Sequence, residues 1–131
     1  MGNMEEVLQA LIIGMNVATF LLNTRRVLKA IEVHKECLLL LNNRALDKEK
    51  QFVKEVRISV YYQIFKGCGL INNLTSAIEC GRKLLVLLRE CGMKHKEAAV
   101  SIKLAEFYNR QSKYKEATEL CKKSTQHPHR K

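Results

Sequence analysis

The sequence predicts an all-α fold, specifically an α-solenoid of three antiparallel helix–turn–helix repeats, on three observations. Apolar residues return every three to four positions through six segments, the period of an amphipathic helix. The 131 residues include one proline, Pro128, and six glycines, too few to punctuate a strand-and-turn fold. Finally, one short pattern recurs three times along the chain, and internal repetition of this kind marks stacked repeats.

The helical segments are expected at about 4–23, 27–43, 50–68, 73–91, 95–110 and 113–125. Short polar breaks separate them: Asn23-Thr24-Arg25, Asn42 to Asp47, Gly69 to Asn73, Cys91-Gly92-Met93 and Arg110-Gln111-Ser112. Gly92 is placed to end its helix in the left-handed conformation. Connections this short force consecutive helices to lie antiparallel and to pack on each other. Residues 126–131 read as a frayed tail. The whole chain, 1–131, then forms one domain with repeats at about 8–46, 50–93 and 95–125.

The recurring pattern is Val27-Leu28-Lys29-Ala30-Ile31-Glu32, Leu74-Thr75-Ser76-Ala77-Ile78-Glu79 and Tyr114-Lys115-Glu116-Ala117-Thr118-Glu119. A bulky residue, two spacers and an alanine are followed, after one more residue, by glutamate. Alanine at a fixed place suggests a point where a neighbouring helix comes too close for a larger side chain, and overpacking such a contact costs about 1–3 kcal/mol. Thirteen residues earlier, Val17-Ala18 with Leu21 and Leu104-Ala105 with Tyr108 continue the match. Ala18, Ala30, Ala77, Ala105 and Ala117 are therefore the expected crossing points. In the middle unit Phe65 falls where a small residue is expected, and Cys68 where an aromatic is usual.

The run Leu104-Ala105-Glu106-Phe107-Tyr108-Asn109-Arg110-Gln111-Ser112-Lys113-Tyr114-Lys115-Glu116-Ala117 resembles the tetratricopeptide repeat family, with Ser112 in place of the usual turn glycine. The resemblance extends less closely over about residues 8–125. Its spacing exceeds the family's 34 residues and is similar to the long-repeat subclass of kinesin light chains and G-protein-signalling modulators. The resemblance implies a concave groove, lined by the first helix of each repeat, that receives a peptide or helix of a partner protein. The matching positions are Met15, Asn16 and Thr19, then Tyr62, Gln63 and Lys66, then Ile102, Lys103, Glu106 and Arg110. The carboxylate clamp of chaperone-binding members is not expected. Met15, Thr19, Gln63 and Ala99 occupy its places, and only Lys103 suits it.

Composition narrows the partners. With 47% apolar and 27% charged residues the chain reads as globular. Its formal charge is +10, and residues 94–131 hold ten Lys/Arg against four Glu. A basic chain attracts acidic partners, so an acidic or amphipathic protein segment is the expected occupant. Nucleic acid is the less favoured partner, because aromatic residues make up only 6% of the chain and Tyr108 and Tyr114 are assigned to packing. The alternative reading, RNA or an anionic surface bound by the basic C-terminal hairpin, would use Arg110, Lys113, Lys115, Lys122 and Lys123.

No chemistry of catalysis is expected. There is no phosphate-loop glycine pattern and no paired nucleophile and base, so the chain reads as a non-enzyme without cofactor. His34 and Cys37 share a helical face but lack two further ligands, so no metal site is expected. Five cysteines without a CxxC motif point to free thiols in a reducing, cytoplasmic compartment. The longest apolar stretch, Ala10 to Leu22, contains Asn16 and Thr19 and is shorter than the roughly 20 residues a membrane span needs, so no span is expected. The apolar start Leu11-Ile12-Ile13, and the lack of a polar closing helix, suggest poorly capped ends and self-association through them, or a place in a longer array.

Overall fold

The computed structural model describes residues 2–125; the expected tail at 126–131, with its His127-Pro128-His129, lies outside them. Helix α1 (Met4–Asn23) starts at a capping box. The Asn3 side chain accepts from the Glu6 N–H, and the Glu6 carboxylate accepts in return from the Asn3 N–H. Five more helices follow: α2 (Val27–Leu40), α3 (Lys50–Leu70), α4 (Leu74–Glu90), α5 (Lys94–Arg110) and α6 (Tyr114–Thr125). No strand occurs among the described residues. The protein is all-helical, and each helix packs chiefly on its predecessor and successor in sequence.

Four of the five connections are the same turn. Arg25, Asn72, Gly92 and Ser112 all have φ between 59° and 66°. In each turn the next N–H reaches back five residues: Arg26 to Leu21, Asn73 to Cys68, Met93 to Leu88 and Lys113 to Tyr108, at 2.8–3.0 Å. These bonds satisfy carbonyls that the helix end leaves orphaned, and they reverse the chain within three residues. Gly92 favours this conformation and Asn72 tolerates it, whereas at Arg25 and Ser112 the packing of the flanking helices imposes it.

The second connection differs. α2 stops at Leu40, three residues before the expected end, and the Asn43 side chain accepts from the Ala45 N–H to open a 3-10 turn, Arg44–Leu46. That turn drives Leu46 into the core. α3 also runs two residues past its expected end, through Gly67 and Gly69.

Ala18, Ala30, Ala77 and Ala117 are buried, as crossing points require, while Ala105 is only partly covered. Small residues let helices approach elsewhere too. A methyl group on Gly14 would lie 2.9 Å from the Cys37 sulfur, so α1 and α2 close on that glycine. The misfit at Phe65 is absorbed across the helix pair. Phe65 is buried, and a methyl on Gly81 of α4 would lie 2.7 Å from its ring. A large residue on one helix meets none on the other, so volume is conserved at the crossing. Tyr114 corrects the sequence reading. It was assigned to packing between helices, but it is exposed, while Tyr108 is buried as expected.

Helix α1 is 20 residues long, and an 18-residue window of it has a mean hydropathy of 1.4, so by length and composition alone it could cross a membrane. Asn16 and Thr19 do not break it; Thr19 donates its hydroxyl proton to the Met15 carbonyl at 2.9 Å.

Candidate functional site

The expected groove residues lie on α1, α3 and α5. Tyr62, Gln63 and Lys66 share one side of α3, and the Lys66 ammonium sits 5.1 Å from the centre of the Tyr62 ring. On α5, Glu106 accepts from Arg110 at 2.9 Å and pairs with Lys103 at 3.5 Å. The Arg110 hydrogen bond, followed by the charge of Lys103, holds the Glu106 carboxyl below its usual range. Arg110 also lies over the Phe107 ring at 5.5 Å.

Two contacts decide where α3 and α5 meet. The Phe65 and Phe107 rings approach edge to face with centroids 5.5 Å apart, and a methyl on Gly69 would lie 2.7 Å from Phe107. Both contacts sit in the C-terminal halves of the two helices. Towards their N-terminal halves a cleft of about 680 Å³ remains, with Ile58, Leu84, Leu88 and Val100 as apolar lining. Gln51, Glu55, Ser59, Gln63 and Lys96 supply polar groups to it, and Tyr62 and Ala99 also line it.

The structure therefore brings together only part of the expected set. Tyr62 and Gln63 line the cleft. Lys66, Glu106 and Arg110 belong to the end that Phe65 and Phe107 close, and Lys103 lies one helical turn beyond Ala99. Ile102 is exposed. Met15, Asn16 and Thr19 stand on α1 and take no part in this cleft. Sequence reasoning missed Gln51, Glu55, Ser59 and Lys96. Ser59 and Glu55 precede Gln63 by four and eight residues, so extending the stripe by helical periods towards the N-terminus would have found them.

A second cleft, of about 740 Å³, opens between α4 and α6. Arg82, Arg89, Lys115 and Lys123 line it, interleaved with Glu116 and Glu119. Arg89 is engaged at 2.7 Å by the buried carboxylate of Glu97. Of the five cations expected to form a basic surface, two line this cleft, and carboxylates break up its charge.

The buried polar groups read as structural. Burial lowers the His34 pKa, against a backbone hydrogen bond at Ala30 that raises it. Cys37 is buried beside α1, and its thiol is pushed up by that burial. The Cys80 thiol is pushed up to about 12, first by burial and then by Cys68, and its sulfur donates to the Tyr61 carbonyl at 3.3 Å. Among the described residues no three His, Cys, Asp or Glu side chains gather as a metal site would require.

The fold and clefts define a class: an all-helical protein of sequentially packed helices with an apolar-floored groove between two of them. No family model matches the chain, and no curated protein or solved structure matches it.

Proposed function

We propose that this chain is a non-enzymatic protein-binding scaffold of the tetratricopeptide type, acting in the cytoplasm. Its hairpins α1–α2, α3–α4 and α5–α6 are the three repeats of a short right-handed α-solenoid, and a partner's acidic or amphipathic segment lies in the groove between α3 and α5.

The observation that carries this reading is the cleft itself. It has an apolar floor for a helix's anchoring side chains and a rim of amides, a hydroxyl, Glu55 and Lys96 to fix the rest. The recurrence of one turn and one alanine position supports the repeat assignment. The formal charge of +10 favours an acidic occupant.

The test is affinity capture from the cells that make the protein, comparing the native chain with a Ser59→Arg/Ala99→Arg variant. Both positions are exposed and line the cleft, so the variant keeps its helicity while two guanidinium groups fill the groove. The expected result is loss of the captured partners. Undiminished capture by the variant overturns the reading. Adding Lys66→Glu and Lys103→Glu to the native chain is expected to weaken capture of an acidic partner more modestly, since both lysines lie beside the cleft rather than in it. Should binding persist in the variant but collapse between low and moderate salt, the competing reading of RNA or an anionic surface on the basic C-terminal hairpin takes its place.

A further inference from the structure

A stripe on α1 is open where its counterparts on α3 and α5 are covered. Counted back from Ala30, Ala77 and Ala117, the residues Ile13, Val17 and Phe20 take the places of Val60, Ile64 and Gly67 and of Val100, Leu104 and Phe107. Val60, Ile64, Val100, Leu104 and Phe107 are at most 4% exposed, whereas Ile13, Val17 and Phe20 are 63%, 43% and 60% exposed. The first two places are aliphatic in all three sets, and the third is aromatic on α1 and α5 and glycine on α3, yet only the α1 set faces solvent.

Part of the cover comes from the second helix of the preceding hairpin, and Phe107 is met in addition by Phe65 and Gly69 of α3. A methyl on Gly67 would lie 3.1 Å from Ile31 and 3.4 Å from Val27, both on α2. A methyl on Gly81 of α4 would lie 3.2 Å from Leu104. The contacts identify Val27 and Ile31 on α2 and Gly81 on α4 as receiving positions; counted from Ala30 and Ala77, the same three places are Val27, Ile31 and His34 on α2 and Leu74, Ile78 and Gly81 on α4. Their counterparts on α6 are Tyr114, Thr118 and Cys121, and all three are exposed.

The two open faces fit each other. Cys121 stands where Gly81 admits Leu104, and the side chain that would meet it is the smaller Val17. Phe20 would fall against Tyr114 and Thr118. Charge agrees: α1 carries Glu5 and Glu6 and no Lys or Arg, whereas α6 carries Lys115, Lys122 and Lys123 against Glu116 and Glu119.

We propose that the α1 stripe is an interface for the α6 face of a second copy of this chain, so that copies join head to tail. The inference shares with the functional reading only the stacking of hairpins and is independent of the groove. A contact of this kind is heterologous and leaves one open end on each side, so assembly grows with concentration.

Sedimentation velocity under reducing conditions tests it, with two variants at exposed positions whose folding is checked by circular dichroism. One carries Val17→Glu and Phe20→Glu, and the other Tyr114→Glu and Thr118→Glu, so that the two altered faces repel each other. The native chain is expected to gain mass across the micromolar range, and each variant to lose self-affinity by roughly 100-fold or more. An equimolar mixture of the two variants, each keeping one intact face, is expected to form a species of twice the monomer mass and nothing larger. The groove variant Ser59→Arg/Ala99→Arg assembles like the native chain, so failure of the groove and failure of this interface are read separately. A native chain that stays monomeric overturns the proposal; if that monomer floats with phosphatidylcholine–phosphatidylserine vesicles and the Val17→Glu/Phe20→Glu variant does not, the stripe serves a bilayer instead. Dimerisation of the Tyr114→Glu/Thr118→Glu variant alone also overturns it, since that outcome means α1 pairs with α1.

Discussion

Phe65 and Gly81 occupy one volume between α3 and α4: a methyl group on Gly81 would lie 2.7 Å from the Phe65 ring and 3.2 Å from Leu104. Gly81→Ala therefore has two opposed effects. It gains about 1 kcal/mol of helix propensity and loses about 1–3 kcal/mol to overpacking against a buried ring. We expect a net destabilisation of about 1 kcal/mol. In a Phe65→Ala background the clash with the ring is gone and only the 3.2 Å approach to Leu104 is left, which can relax into the vacated space, so the same substitution is expected to stabilise by up to about 1 kcal/mol. A double-mutant cycle by urea unfolding should give a coupling of about 2 kcal/mol; additivity within about 0.5 kcal/mol would mean that the two residues do not share this space.

Ser112 turns the chain into α6 with φ of 60°, a conformation that costs a residue with a Cβ roughly 1 kcal/mol. Ser112→Gly is expected to raise stability by about 0.5–1 kcal/mol, seen as a melting temperature a few degrees higher. Arg25→Gly should act alike, because Arg25 has φ of 65°. Asn72→Gly should gain less, since asparagine tolerates this region. No change in any of the three would place the turns' stability elsewhere.

His34 is buried with its pKa lowered by that burial from the ordinary 6.5. The unfolded chain then takes up the proton more readily than the folded one. Stability is full above the unfolded value and declines as pH falls below about 6.5 towards the lower folded value. His34→Gln removes this dependence. Urea midpoints of the native chain are expected to drop between about pH 7 and pH 5, and those of the variant to drop less. Equal slopes would remove His34 from the account.

The thiols should divide by burial. Cys121 is exposed, Cys91 is half-buried, and Cys37, Cys68 and Cys80 are buried. Burial pushes all three buried thiols up, Cys80 to about 12, so they hold little reactive thiolate. A disulfide-exchange reagent is expected to modify Cys121 promptly, Cys91 more slowly and the other three only on unfolding. Rapid reaction of Cys80 in the folded protein would contradict its burial between α3 and α4.

Local chemistry made the helices legible in the sequence. The period of apolar residues set all six, because a helix that buries one face must repeat about every 3.6 residues. Gly92 announced its turn for the same local reason. Ala18, Ala30, Ala77 and Ala117 announced crossings, since only a small side chain lets two backbones come close. The groove was partly legible: Tyr62 and Gln63 line the cleft, whereas Lys66, Glu106 and Arg110 lie at its closed end. Where that end closes depends on Phe107 meeting Phe65 and Gly69 across two helices. Such a contact joins residues some forty positions apart, and no local pattern carries it.

By itself, then, the sequence determined six helices, their order and their antiparallel turns, because propensity, period and turn chemistry act within a few residues. Only the tertiary structure decided that Phe65 fits by emptying Gly81, that Tyr114 faces water, and that Ile13, Val17 and Phe20 are uncovered where their counterparts are buried. The physical reason is that burial belongs to pairs of surfaces. A residue's type states what it can cover, and only the arrangement of helices states whether anything covers it.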